Sequence, residues 1–164
     1  MSWTEGADVK FGGEGRVKVY SSTSKTMTAD DLIGELADAP SGIGAQREVK
    51  EYGGYHYTKK HKTTGLSTPN DVSFTENLTT AGLTLRRGQY DNNTKFYTAF
   101  VDADTGTILY GLYGQMSQWG MELPDGDVCK LTYTMAIDDD AVTGLTVPQP
   151  ANNGGGGGTP GDGN

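Results

Sequence analysis

The sequence has almost none of the residues that staple a small protein together or hold a metal ion. Its 164 residues include one cysteine, Cys129, and two histidines, His56 and His61. A single cysteine cannot form an internal disulfide, which is typical of proteins made in a reducing cytoplasm. These three residues do not stand at metal-ligand spacing, so we expect no metal and no other cofactor. A chain of this length can bury a core without such staples.

Long apolar runs and basic residues are also scarce. No stretch approaches the ~18 apolar residues of a membrane span, so we expect no membrane segment. Residues 1–5 lack a basic region and a following apolar core, so they do not resemble a signal peptide. Asp and Glu number 21 against 13 Lys and Arg, which gives a net charge of −8. Because an acidic surface repels phosphate, groove binding to DNA or RNA is not expected.

Motifs that carry catalysis are missing as well. Residues 102–106 begin like a calcium loop, but Tyr113 stands where that loop needs its closing glutamate, so a hairpin turn is predicted instead. Residues 138–140 are three adjacent carboxylates at the end of a predicted strand, with no base or nucleophile to work with. The sequence therefore predicts a protein that is not an enzyme.

The residues that are abundant indicate β-structure. Tyrosine outnumbers phenylalanine nine to four, and tyrosine suits half-buried sheet faces and subunit interfaces. Residues 129–137 alternate strictly between apolar and polar, which predicts a strand with Cys129 in the core. Shorter strands are predicted at residues 16–20, with Tyr20 facing outward, and at residues 72–75, 96–101 and 107–116.

Two short helices are predicted beside these strands. Thr28 with Asp31 resembles a capping box at the start of a helix over residues 28–36. Apolar residues at helical spacing predict a second helix over residues 79–90, although its glycines weaken the pattern. The expected fold is mainly β, of sandwich or barrel type.

Residues 38–70 do not resemble regular structure, apart from a possible strand near residues 55–58. A structureless loop of this length inside a compact domain is functional or disordered. Tyrosines are interleaved with basic residues along it: Arg47, Lys50, Tyr52, Tyr55, Tyr57, Lys59, Lys60 and Lys62. One interpretation is a solvated surface loop, and the other is a docking arm with aromatic anchors and cations. The residues alone leave both open.

The chain is expected to form one domain over residues 1–147. Residues 148–164 carry five consecutive glycines and no apolar cluster, so they predict a flexible tail.

Residues 71–143 resemble the tail tube protein of bacteriophages with long, non-contractile tails. The resemblance rests on the order of weak signals: a strand at 71–78, a short helix and a Tyr-Asp-Asn turn within 83–93, a strand at 95–101, a hairpin and strand at 104–113, and, after a polar turn, a last strand at 127–137. It implies a β-sandwich with a flanking helix and a long loop that contacts the neighbouring ring, which matches residues 38–70. It also implies hexameric rings that stack into the conduit for viral DNA, with other tail proteins at the tube ends. The expected location is the virion tail, after synthesis in the host cytoplasm.

This resemblance suggests a pairing of opposite charges between rings. The basic residues of the loop would meet acidic turns of the next ring, or those turns would line the lumen, where they would repel DNA. The acidic residues are Asp102, Asp104, Asp125, Asp127, Asp138, Asp139 and Asp140. Two alternatives remain: a tube protein of a contractile tail or type VI-like injection system, and a monomeric β-sandwich that serves as a binding or decoration module.

Overall fold

The computed structural model of the chain describes residue 10, residues 12–13 and residues 15–151. Seven strands and one α-helix follow one another along this part of the chain, and all strand pairs are antiparallel. They are β1 (Val17–Ser22), β2 (Ala45–Tyr52), β3 (His61–Pro69), β4 (Val72–Asn77), α1 (Thr80–Asp91), β5 (Lys95–Asp102), β6 (Ile108–Glu122) and β7 (Lys130–Asp139).

Five of these strands form one sheet in the order β1-β5-β6-β7-β4, and β2 pairs only with β3. The five-stranded sheet curls into a half-barrel with α1 beside it. The expectation of a mainly β fold of sandwich or barrel type with a flanking helix is confirmed. The strands predicted from alternation are found, although β6 runs six residues beyond the predicted end at residue 116.

The main core lies on the concave side of the curled sheet. Leu131, Tyr133 and Met135 of β7 are fully buried, while Thr132 and Thr134 between them are half-buried. Phe74, Phe96 and the other large buried side chains of neighbouring strands share this cluster. Alternation with period two is what places every second residue of a strand on the same face.

The chain between residues 32 and 41 connects the two edges of the sheet. Near its start, the Ile33 amide donates to the Val19 carbonyl of β1 (2.9 Å). Further along, Ser41 exchanges hydrogen bonds with Ser73 of β4. The segment therefore covers edge groups of both outer strands, which would otherwise be open to pairing with other chains.

A second core cluster covers part of the opposite face of the sheet. Tyr20 is 5% exposed and packs with Met27 and Val147 against β5. The expectation that Tyr20 faces solvent is wrong, because the segment around Val147 folds back over the outer side of β1 and β5. Val147 also ends the predicted domain. Of the predicted tail, residues 148–151 line a cleft beside β1, and residues 152–164 lie outside the described residues.

Helix α1 confirms the prediction over residues 79–90. The Thr79 hydroxyl caps it by accepting from the Gly82 amide (3.0 Å), as helix N-termini require. Its only buried residue is a cation, Arg86. The Arg86 guanidinium lies 2.7 Å from the Glu76 carboxylate and 4.5 Å from the Tyr133 ring centre. The helix is therefore anchored to the sheet by a buried ion pair.

Two sequence predictions near the surface are wrong. The helix expected over residues 28–36 is only a 3-10 turn at Ala29–Asp31, although the Asp31 carboxylate does accept from the Thr28 amide. The chain leaves the helical path at Leu32 because it pairs there with β1. Cys129 is half-buried and precedes β7, so it does not belong to the core.

Candidate assembly surfaces

Residues 38–70 contain an antiparallel β-hairpin, β2 and β3, which we call the arm (residues 45–69). The expectation of irregular structure there is wrong for most of the segment, and residues 55–58 form the turn where a strand was suggested. Because both faces of the arm are exposed, its sequence shows no apolar–polar alternation, which is the signal that identifies a half-buried strand.

The arm extends the antiparallel pairing that is found at the β4 edge of the sheet. Residues 35–41 pair antiparallel with β4, and the same pairing resumes between Gly44 and Asn70 and runs on to Tyr52 and His61. The arm leaves the sheet from the Val72 end of β4, since Val72 follows it directly in the chain. At about 3.3 Å per residue, its eight-residue strand β2 is about 26 Å long.

Aromatic rings gather at the tip of the arm. Tyr52 stacks on His61 with ring centres 5.7 Å apart, and Tyr57 meets the same ring edge-on at 5.4 Å. Tyr55 lies beside His56 and is 98% exposed. The apolar surface of a fully exposed tyrosine ring is removed from water only when a partner covers it.

The basic residues of the arm are all exposed. Lys62 lies 3.6 Å from Glu51, Lys50 lies 3.9 Å from Glu48, and Arg47 donates to the Gly65 carbonyl. Lys59 and Lys60 make no ion pair within the described ranges. Exposed pairs of this kind contribute at most about 1 kcal/mol, so the cations remain available to a partner.

The acidic residues predicted as partners fall into groups at opposite ends of β6. Asp102 and Asp104 lie at the β5–β6 turn, before β6 begins, and Asp125 and Asp127 lie at the β6–β7 turn, after it ends. Fifteen residues of strand separate the two turns, which is about 50 Å of extended chain. One docking arm cannot contact both groups at once.

Asp102 is not an available acid. Its carboxylate is buried and lies 2.8 Å from the Lys10 ammonium. The hydrogen bond from Lys10, followed by that from the Asp104 amide, lowers the pKa of Asp102 below its usual value. Asp104 itself is exposed.

The three carboxylates at the end of β7 have internal roles. Asp138 lies 3.5 Å from Lys95, the Asp139 carboxylate accepts from the Ala141 amide, and the Asp140 carboxylate accepts from the Tyr110 hydroxyl. Burial, with a further contribution from Asp140, raises the pKa of Tyr110.

The β6–β7 turn carries the functional candidates that the sequence reasoning missed. Leu123 and Val128 are exposed there, with Leu123 at 67%, and Met121 is exposed near the end of β6. On the arm, Leu66 is 89% exposed and Val49 is 59% exposed. For Leu123 and Val128 the available signal was an apolar residue inside a turn, where a solvated chain favours Gly, Asn, Asp or Ser.

Within residues 10, 12–13 and 15–151, no group of three or more His, Cys, Asp or Glu is placed to hold a metal ion. Over the same residues, no helix combines the length and hydropathy needed to cross a bilayer.

Solved structures share this fold over most of the chain. A chain from the sheath/tube terminator of an extracellular contractile injection system aligns with a TM-score of 0.58 and 13% identity, covering 82% of this chain and 97% of that one. A chain from the anti-feeding prophage baseplate gives 0.57 and 12%, covering 84% and 98%. A chain from the tube-terminating cap of the anti-feeding prophage gives 0.56 and 10%, covering 80% and 91%.

The sequence comparisons add no relative. No protein-family model matches the chain. No curated protein matches it in sequence. The chain therefore shares the fold of chains from tail-like assemblies at a sequence identity that establishes the fold alone.

Proposed function

We propose that this chain is a structural tube subunit of a phage-like tail, which assembles with copies of itself into rings that stack. The observation that carries the proposal is the fold shared with chains from tube and terminator complexes, over 97% of one such chain. The projecting arm supports it independently, because an isolated two-stranded hairpin is marginally stable in water. An arm of this length is best explained by a partner that covers it.

Contractile-type machines are the favoured context within this proposal. The similar structures come from an extracellular contractile injection system and the anti-feeding prophage, and they do not single out the non-contractile tails that the sequence resembles. Hexameric rings, a location in the particle tail and contact with other tail proteins are parts of the same proposal. The same proposal holds that the subunit has a structural role and no catalytic activity.

The charge of the subunit suits a conduit. A net charge of −8 per copy accumulates around a ring and repels a polyanion over about 8–10 Å at physiological salt. Viral DNA would therefore pass without a specific binding site.

A tube terminator is the second candidate, favoured by the alignments with two terminator structures. A tube subunit polymerises without limit, because a head-to-tail contact that does not close on itself generates a filament. A terminator forms one ring and stops.

Negative-stain electron microscopy of the concentrated full chain, with sedimentation velocity, tests the proposal. We expect rings and stacked tubes of uniform diameter. Single rings at every concentration would select the terminator. A chain that stays monomeric at high concentration would overturn the proposal and favour a monomeric binding module.

A variant with a shortened arm tests whether the arm is needed for rings to stack but not for rings to form. Replacing residues 46–68 with a short Gly-Asn turn should leave rings and abolish tubes. The matched control is Asn93→Gly in the turn between α1 and β5, which lies outside the arm and the β6–β7 turn and keeps the positive φ of that position. Tubes that form normally without the arm would show that it plays no part in stacking.

A further inference from the structure

The β6–β7 turn presents an exposed apolar patch with unpaired acids around it. Met121, Leu123 and Val128 supply the apolar surface. Glu122 and Asp125 are exposed and make no ion pair within the described residues. We call residues 121–128 the turn patch.

The turn patch and the arm lie toward opposite ends of β4. The Asn77 end of β4 pairs with Lys130, which also pairs with Glu122 at the edge of the turn patch. The other end, Val72, pairs with Met135 and connects to the arm. In a head-to-tail stack whose axis runs along β4, the arm of one copy faces the turn patch of the next.

The other acidic residues that the sequence singled out do not offer a comparable surface, and Asp104, which is exposed, lies at the opposite end of β6 from the turn patch. Asp102 is buried against Lys10, and Asp138 and Asp140 bond to Lys95 and Tyr110. Asp138 also lies beyond Met135 on β7, toward the end of β4 from which the arm leaves. A head-to-tail contact joins unlike ends, so this end would not receive the arm.

We propose that the turn patch of one copy is the docking site for the arm of the next copy. The proposal rests on the stacking function above and adds the receiving surface. Exposed apolar side chains of the arm, including Leu66, would cover Leu123 and Val128. The cations Lys59 and Lys60 would face Glu122 and Asp125.

Each kind of contact has its own part in this interface. Covering apolar side chains supplies the favourable free energy, since it grows with the apolar area removed from water. Opposite charges set the register and raise the rate of encounter more than the affinity. Stacking should therefore slow as salt is added, because exposed charges are screened.

A charge exchange tests the assignment in the full-length chain. The arm variant carries Lys59→Glu, Lys60→Glu and Lys62→Glu, and the turn variant carries Glu122→Lys, Asp125→Lys and Asp127→Lys. Each variant alone should lower the fraction of subunits in tubes at least tenfold. Mixing the two variants should restore tubes, because the acidic arm of one variant meets the basic turn patch of the other. The variant with all six changes should form tubes again. The control is Asp104→Lys, which reverses an exposed acid at the other end of β6, and it should stack like wild type.

The outcomes distinguish this inference from the function it extends. Wild-type tubes with a turn variant that also stacks normally would overturn the docking site and leave the tube function standing. Failure of the wild type itself to form rings would overturn the tube function. A turn variant that fails to stack must also melt cooperatively within a few degrees of wild type. If it does not, a double variant with Leu123→Ser and Val128→Ser, which keeps the acidic residues, is tested instead. Normal stacking of this double variant would contradict the proposal.

Discussion

The rings of Phe74 and Phe100 lie 6.4 Å apart and nearly parallel, at 7°, although their strands are three positions apart in the sheet. In a flat sheet, β4 and β5 would be separated by about 14 Å, because neighbouring strands are about 4.8 Å apart. Contact between these rings therefore requires the sheet to curl. The two phenylalanines hold opposite sides of the half-barrel together across its core.

Truncating the Phe74 side chain should lower the urea concentration at which the half-barrel unfolds. Its ring also stacks on Tyr133 at 5.0 Å, so Phe74→Ala leaves a cavity between two rings. We expect a loss of about 3–5 kcal/mol in the free energy of unfolding, measured by urea denaturation. Leu66→Ala on the exposed arm is the control and should change stability by less than about 0.5 kcal/mol. Equal losses from both variants would contradict the curled core.

The Glu76–Arg86 pair should behave as a buried pair. Arg86→Met leaves the Glu76 carboxylate buried without its cation and should cost about 3–5 kcal/mol. Replacing both, with Glu76→Leu and Arg86→Met, should recover most of that loss, because no uncompensated charge remains. Chemical denaturation of the three proteins checks this. A double variant no more stable than Arg86→Met would refute the interpretation.

Two glycines of β6 should respond oppositely to alanine. At Gly114 a Cβ would overlap the Ala136 carbonyl of the neighbouring strand, so Gly114→Ala should cost about 1–3 kcal/mol. At Gly120 the nearest atom to a Cβ is the Thr132 hydroxyl at 3.4 Å. Gly120→Ala should therefore be neutral or slightly stabilising, because alanine loses less chain entropy than glycine. Thermal melts of both variants provide the comparison.

Acid should remove the stabilisation due to Asp102. Because the Lys10 hydrogen bond lowers the pKa of this carboxyl in the folded state, its contribution is complete above the unfolded value of about 3.9. The contribution declines as pH falls from there through the lower folded pKa. Urea unfolding at pH 6 should show Asp102→Asn less stable than wild type, and the difference should shrink below pH 3. A difference that is constant with pH would contradict the pairing.

Amide hydrogen exchange should show the arm as the least protected hairpin. In free subunits we expect residues 45–69 to exchange far faster than β5 and β6, because the arm has no core beneath it. In tubes the arm should gain protection. Arm amides already protected in the monomer would mean that the hairpin is stable without a partner.

Local residue patterns were enough to predict the strands that alternate between core and solvent. In β7, Leu131, Tyr133 and Met135 alternate with threonines, and burial on one face makes such a pattern readable. Helix α1 was likewise indicated by apolar residues at helical spacing. Its ion pair with the sheet was not indicated. Nothing local in the sequence shows that Arg86 meets Glu76, because that contact joins residues on two elements with different directions.

The curl of the sheet, the hairpin of the arm and the partners of the acidic residues depend on contacts between distant parts of the chain. The arm is a hairpin without a buried face, so its strands follow from cross-strand hydrogen bonds, which leave no hydrophobic period in the sequence. Asp102 and Asp125 both lie near the end of a strand, and nothing in the neighbouring sequence distinguishes them. Their difference, one buried against Lys10 and one exposed beside Leu123, arises because long-range packing determines which charged groups lose contact with water.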